Sequence, residues 1–207
     1  MKKHLLSLAA VAVLAAAPAA QAQFNLKNPL GGSASGQAVD TDAVKKSVGA
    51  ALADLAEANS RYASALGKES ESAQLKEIAA GLRSGSLGVD SKVIGIVKDL
   101  SASSTAEMKT KLAAKEKVSA DGKKLLVEGL AFHVSGTAAG VNGTKKLKAA
   151  LESKSPAALA SLASLKDFPA LFGQWTSATG NMFSYMNFNG VDTKNADKVI
   201  ASAMSES

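Results

Sequence analysis

Apolar residues recur along most of this chain at steps of three and four, the period of an amphipathic helix. Val44, Val48, Ala51, Leu52, Leu55, Ala58, Tyr62 and Leu66 form the first such line, and Gly67 stands where that helix would stop. A second helix is predicted from Glu71 to about Arg83, with Leu75, Ile78, Ala79 and Leu82 on one face; Ser84-Gly85-Ser86-Leu87-Gly88 then breaks the pattern. Val93, Ile94, Ile96, Val97 and Leu100 are predicted as a short helix, although a β-branched run this brief also suits a strand. Ser104-Thr105-Ala106-Glu107 has the form of a capping box and predicts a fresh, lysine-rich helix to about Lys117.

Ser119 or Asp121 can cap the longest helix, which reaches roughly Glu152 and is expected near the centre of the fold. Ser155-Pro156 and Asp167 with Pro169 repeat the pattern of a cap followed by an early proline. Asn189-Gly190 turns the chain into a last amphipathic helix over Asp192 to Met204. No stretch alternates as a strand with hairpin turns. The prediction is an all-α, compact multi-helix bundle of about six to eight helices in a single domain over residues 42–207.

The N-terminal pattern is of another kind. Lys2 and Lys3 precede the apolar run Leu5 to Ala17, and Pro18 precedes Ala20-Gln21-Ala22, a small-x-small cleavage site. A span needs about 20 apolar residues, so the run reads as a signal peptide over 1–22, cut near Ala22. The chain is therefore expected to be exported, to the periplasm or beyond. Residues 23–41, with Asn28-Pro29, Gly31-Gly32 and Ser33-Ala34-Ser35-Gly36, have the composition of a flexible arm. The sequence has no cysteine, so this exported chain must be stabilised by burial alone.

Glycine recurs at heptad spacing. Gly122, Gly129, Gly136 and Gly143 lie on nearly one line of the long helix, and steps of three and four add Leu125, Phe132, Gly140 and Leu147. Gly81, Gly88 and Gly95 show the same interval, as do Gly173 and Gly180. Each glycine inside a helix costs about 0.8–1 kcal/mol relative to alanine. Close approach of another helix is the expected compensation, in a glycine- and alanine-rich packing seam; a groove for a partner helix or acyl chain is the alternative. Leu125 to Val141, with Gly136-x-x-x-Gly140, resembles a transmembrane pairing motif, but Glu128, His133 and the shortness of the run argue against a span.

Charge and chemistry narrow the picture further. The net charge of +6 comes almost wholly from lysine, with Arg61 and Arg83 the two arginines, which argues against nucleic-acid recognition. Lys109, Lys111, Lys115, Lys117, Lys123 and Lys124 cluster, interleaved with Glu107, Glu116 and Asp121; a solvated face is expected, or weak contact with an anionic membrane surface. His133 is the one histidine beyond the leader. It falls with Leu126, Leu130 and Thr137 and is expected at the edge of the core. No metal, haem, nucleophile-elbow or Ser-x-x-Lys spacing occurs, so neither cofactor nor metal is expected.

Six of the nine aromatics, Phe168, Phe172, Trp175, Phe183, Tyr185 and Phe188, gather near the C-terminus with Met182 and Met186. Phe168, Phe172, Trp175, Thr179, Met182 and Met186 share a helical face suited to a core. Phe183, Tyr185 and Phe188 fall off that face. They make the cluster Phe168, Phe172, Trp175, Met182, Phe183, Tyr185 and Phe188 the candidate binding patch. The expected function is a non-catalytic cell-envelope protein that binds a protein partner or itself through helix faces. A carrier of an apolar or amphipathic small molecule is the alternative, and an enzyme with a site assembled from dispersed residues is a third reading.

Overall fold

A computed structural model describes residues 40–205; the signal peptide and nearly all of the N-terminal arm expected from the sequence lie outside the described residues. The described residues form seven α-helices: α1 (Thr41–Ala65), α2 (Glu69–Ser84), α3 (Ser91–Ala113), α4 (Ala120–Glu152), α5 (Pro156–Leu162), α6 (Phe168–Phe188) and α7 (Lys194–Ser205). A single 3-10 turn, Ala163–Leu165, joins α5 to α6. The protein is all-helical, and no described helix is long and apolar enough to cross a membrane.

Local chemistry sets most boundaries. Asp40, Asp90 and Ser119 cap α1, α3 and α4 by accepting the backbone N–H of Ala43 (2.9 Å), Val93 (2.8 Å) and Gly122 (3.0 Å). Gly67, at φ +79°, turns the chain out of α1 in a conformation that an L side chain rarely adopts. Asp167 does not cap α6 with its side chain, contrary to expectation; its backbone is already helical, so its carboxylate is not aimed at the first N–H groups.

The largest departure from the sequence pattern is α3. The segment expected as two helices is one, and it ends at Ala113 instead of near Lys117. The Ser104-Thr105-Ala106-Glu107 box caps nothing because its hydroxyls are inside the helix. Thr105 Oγ1 donates to the Ser101 carbonyl (2.9 Å), Ser101 Oγ donates to the Val97 carbonyl (2.6 Å), and Ser104 is fully buried.

The most enclosed helix is α1 rather than the long α4. α1 packs against α2, α3 and α4, and nearly every residue from Ala51 to Ala63 is buried. Alanines at 51, 53, 56 and 58 let three helices approach it from different sides. α4 keeps an outer face of Lys123, Lys124, Val127, Glu128 and Ser135 in solvent. Its inner face carries the glycines. A Cβ on Gly129 would overlap the Tyr62 ring, and one on Gly136 would lie 2.8 Å from Leu55 Cδ2 and 3.0 Å from the Leu55 backbone nitrogen. A Cβ on Gly140 would strike the Phe172 ring, and one on Gly122 would lie 3.1 Å from the Ala65 carbonyl oxygen. Gly143 has ordinary contact with Val48 and Phe168. Phe132 leaves this line and lies half-buried beneath Arg83, whose guanidinium carbon is 5.2 Å from the ring centre.

Outside α4 most of the heptad glycines behave differently, although a Cβ on Gly81 would lie 2.9 Å from Leu87 Cβ. Gly95, Gly173 and Gly180 have nothing within 4 Å of their Cβ positions. Alanine at Gly173 or Gly180 should therefore raise unfolding free energy by about 0.8–1 kcal/mol each. Alanine at Gly129 or Gly136 should lower it by about 1–3 kcal/mol, and leucine at either should lower it further. Urea denaturation of the four alanine variants checks both signs. Ser104→Ala should also stabilise, by about 1 kcal/mol, because it removes a buried hydroxyl that lacks a hydrogen-bond partner.

Candidate functional site

The aromatic helix α6 closes on the glycine face of α4 and brings the chain's chemically versatile side chains to one point. His133 is fully buried. Its ring lies tilted by 37° against Trp175 at 4.3 Å between centroids, with Phe183 at 5.2 Å and Tyr62 at 6.1 Å. Tyr62 Oη lies 3.2 Å from Nδ1 and Thr179 Oγ1 lies 3.0 Å from Nε2.

The donors resolve in one direction. Thr179 donates to the Trp175 carbonyl (3.2 Å), so it must accept from the Nε2–H, leaving Nδ1 to accept the Tyr62 hydroxyl proton. A second branch completes the set: Trp175 Nε1–H donates to Thr137 Oγ1 (3.0 Å), which donates to the His133 carbonyl (2.8 Å). Each of these polar atoms is satisfied by a neutral partner. Burial pushes the His133 pKa from its ordinary 6.5 down to about 3, and it raises Tyr62 well above its ordinary 10. The network therefore holds one neutral tautomer in a closed setting and ties α1, α4 and α6 together.

His133 thus sits at the centre of the core, a correction to the edge position expected from the α4 pattern. The candidate aromatic patch is corrected in the same way. Phe168, Phe172, Trp175, Met182, Phe183 and Tyr185 are all buried, and Phe188 is half-buried. Phe183 and Tyr185 fall off the first face of α6 yet still leave solvent, because α6 is covered by α3 on one side and α4 on another. Tyr185 also reaches the loop before α4, donating to the Glu116 carbonyl (3.4 Å). The first six belong to packing and form no exposed patch; Phe188 alone keeps part of its ring in solvent.

A second polar constellation was not singled out from the sequence. Both arginines converge on α1: Arg83 pairs with Asp54 (2.9 Å) and Glu57 (3.2 Å), and Arg61 pairs with Glu57 (2.9 Å) and Glu128 (3.1 Å). Ser135 donates to the free oxygen of Asp54 at 2.6 Å. The available signal was the rarity of arginine in a lysine-rich chain, since the rigid planar fork of a guanidinium suits a fixed bridge between carboxylates better than a flexible ammonium does. This ladder fastens α2 and α4 to α1. It occupies the paired carboxylates Asp54 and Glu57, which stand one turn apart.

The surface carries shallow grooves. One, about 370 Å³ and almost wholly apolar, is lined by Thr144, Leu147, Lys148, Leu151, Glu152 and Pro169. Another, about 320 Å³, runs between α3 and α6 and is lined by Ala102, Thr105, Ala106, Lys109, Gln174, Ser177, Ala178 and Asn181. The sequence matches no family model, and no curated protein or solved structure matches it.

The His133 network has a testable consequence. The unfolded chain protonates its histidine near 6.5 and the folded chain near 3, so this contribution is complete above pH 6.5 and declines as pH falls. Stability should drop on the order of 1 kcal/mol per pH unit between pH 6.5 and 5, above the range where carboxylates titrate. His133→Gln should be less stable at pH 7 but flat over that window. Trp175, the sole tryptophan, reports both through its fluorescence in urea titrations. A flat wild-type profile would contradict a neutral, buried His133.

Proposed function

We propose that this chain is an exported, non-catalytic protein of the cell envelope that binds a partner helix, from another protein or a second copy, through the groove between α3 and α6. The observation that carries this reading is the outer face of α6. Gly173, Ser177, Gly180 and Ser184 follow one another at helical steps on its exposed side. The two serine hydroxyls fold back onto the Gly173 and Gly180 carbonyls, each at 2.8 Å, so the face is bare.

The adjoining groove is lined by the small side chains of Ala102, Ala106 and Ala178, with Thr105 buried beneath them and Lys109, Gln174 and Asn181 reaching solvent. Small side chains let a second helix approach closely, and the amides of Gln174 and Asn181 can fix its register. Helix-interior glycines that touch nothing within the monomer lower its stability. A surface of that kind is retained most simply when something packs on it. The signal-peptide pattern at residues 1–22 supports a periplasmic or secreted setting.

A carrier function has its own support in the groove lined by Leu147, Leu151 and Pro169, whose volume of about 370 Å³ lies at the lower end for small-molecule sites. Its apolar lining suits part of an acyl chain.

The test places a photo-crosslinking residue at Ser177, and a control at Lys76 on the exposed face of α2, in the exported chain. The reading predicts one defined adduct from Ser177, a dimer or a single partner, absent from the control and lost in Gly173→Gln/Gly180→Gln. Sedimentation velocity should show the matching mass. A monomer at every concentration, with no Ser177-specific adduct, contradicts the reading; a copurifying mass of a few hundred daltons in native mass spectrometry would favour the carrier.

A further inference from the structure

The lysine cluster resolves into two classes once its partners are known. Lys111 is held by Glu107 (3.5 Å) and Glu116 (3.1 Å), and Lys124 is held by Asp121 (2.8 Å). These two lysines occupy all three carboxylates between Glu107 and Lys124. Lys109, Lys115, Lys117 and Lys123 are exposed, and none pairs with a carboxylate within 4 Å among the described residues. The acidic neighbours are thus already engaged, and the cluster of six lysines and three carboxylates keeps an excess of three positive charges, with its four unpaired lysines in solvent.

Packing brings this excess to one end of the bundle. Lys109 lies near the end of α3, Lys115 and Lys117 lie in the α3–α4 loop, and Lys123 lies in the first turn of α4. The loop is pinned there, since Val118 N–H donates to Asn189 Oδ1 (2.9 Å) beyond the end of α6. Lys117 Nζ stands 5.5 Å from the centre of the half-buried Phe188 ring, and Lys123 Nζ lies beside Gly190. Phe188 therefore sits at the rim of the basic end with an ammonium above it. Lysine heads with an aromatic ring at their base are the chemistry of a headgroup interface.

We propose that this end of the bundle docks on a bilayer surface of anionic phospholipid, with Lys109, Lys115, Lys117 and Lys123 against the phosphates and Phe188 at the headgroup level. Charge complementarity selects this occupant. The lysines are spread over a loop and two helix ends, with no concave cradle for a single ion, and lysine serves diffuse attraction better than bidentate readout. The α3–α6 face proposed for a partner helix is a separate part of the surface apart from Lys109, so the two readings fail independently.

The test is co-sedimentation of the exported chain with vesicles of phosphatidylcholine alone or with one-third phosphatidylglycerol. Binding is expected only to the anionic vesicles and should be lost in 0.5 M salt. Lys109→Gln/Lys115→Gln/Lys117→Gln/Lys123→Gln should weaken it by roughly fivefold per lysine, a hundredfold or more in all, with an unchanged circular dichroism melt. The control Lys45→Gln/Lys92→Gln/Lys154→Gln/Lys166→Gln removes as much charge from the opposite end and should shift binding less than tenfold. Equal losses in both variants, equal binding to both vesicle types, or no binding to either would overturn the proposal. Phe188→Ala should weaken binding several-fold at 0.15 M salt while leaving the salt dependence unchanged; no change would remove the ring from the contact.

Discussion

Five glycines along one face of the 33-residue α4 set how near its neighbours come, and the rest of the bundle is arranged around that distance. The bare stripe costs roughly 4 kcal/mol of helix propensity. It is occupied by Tyr62 and Leu55 from α1 and by Phe172 from α6, whose burial is worth about 1.5–3 kcal/mol apiece. Because Tyr62 lies over Gly129, its hydroxyl arrives at His133 one turn further along α4. The same closeness on the α6 side brings Trp175 and Thr179 to the ring's other edge. A neutral histidine in the core is thus a consequence of the seam, and its hydrogen bonds give the crossing a single register.

That arrangement decides which surfaces remain for function. The histidine, both buried tyrosines and the tryptophan are committed to packing, and the two arginines are committed to the ladder on α1. What faces solvent is a glycine- and serine-lined strip on α6 beside a small-residue groove, and an end of the bundle where six lysines outnumber three carboxylates. Both are surfaces for recognition of shape and charge. This is why the functional proposal rests on helix faces and not on the residues whose chemistry drew attention in the sequence.

The helical periodicity, the caps at Ser119 and Ser155 and the turns at Gly67 and Asn189-Gly190 were legible because they depend on neighbours within a few residues. The heptad glycines of α4 were legible as a line for the same reason. What sat across from that line was not, since α1 lies some 70 positions away along the chain, as the Tyr62–His133 contact shows. The Ser104 box misled because the same residue types cap a helix or fold back on its carbonyls, and tertiary burial chose the latter. His133 was placed at an edge because α4 alone shows one apolar side, whereas α6 adds a second. The off-face position of Phe183 and Tyr185 suggested exposure for a similar reason: α6 is wrapped over a wider arc than one neighbour would cover. The identical spacing of Gly173 and Gly180 hid an opposite environment, open instead of packed.

The most direct measurement of the seam is a double-mutant cycle between Gly140→Ala and Phe172→Leu, read by urea denaturation. A Cβ at Gly140 would meet the Phe172 ring, with Cζ at 2.9 Å, so trimming the ring should remove most of the penalty of the added methyl. The account predicts that Gly140→Ala destabilises the wild-type chain by about 1–3 kcal/mol, far less in the Phe172→Leu background, with a coupling of at least about 1 kcal/mol. Additive effects within about 0.5 kcal/mol would mean that α6 does not close on the glycine stripe, and would contradict the account.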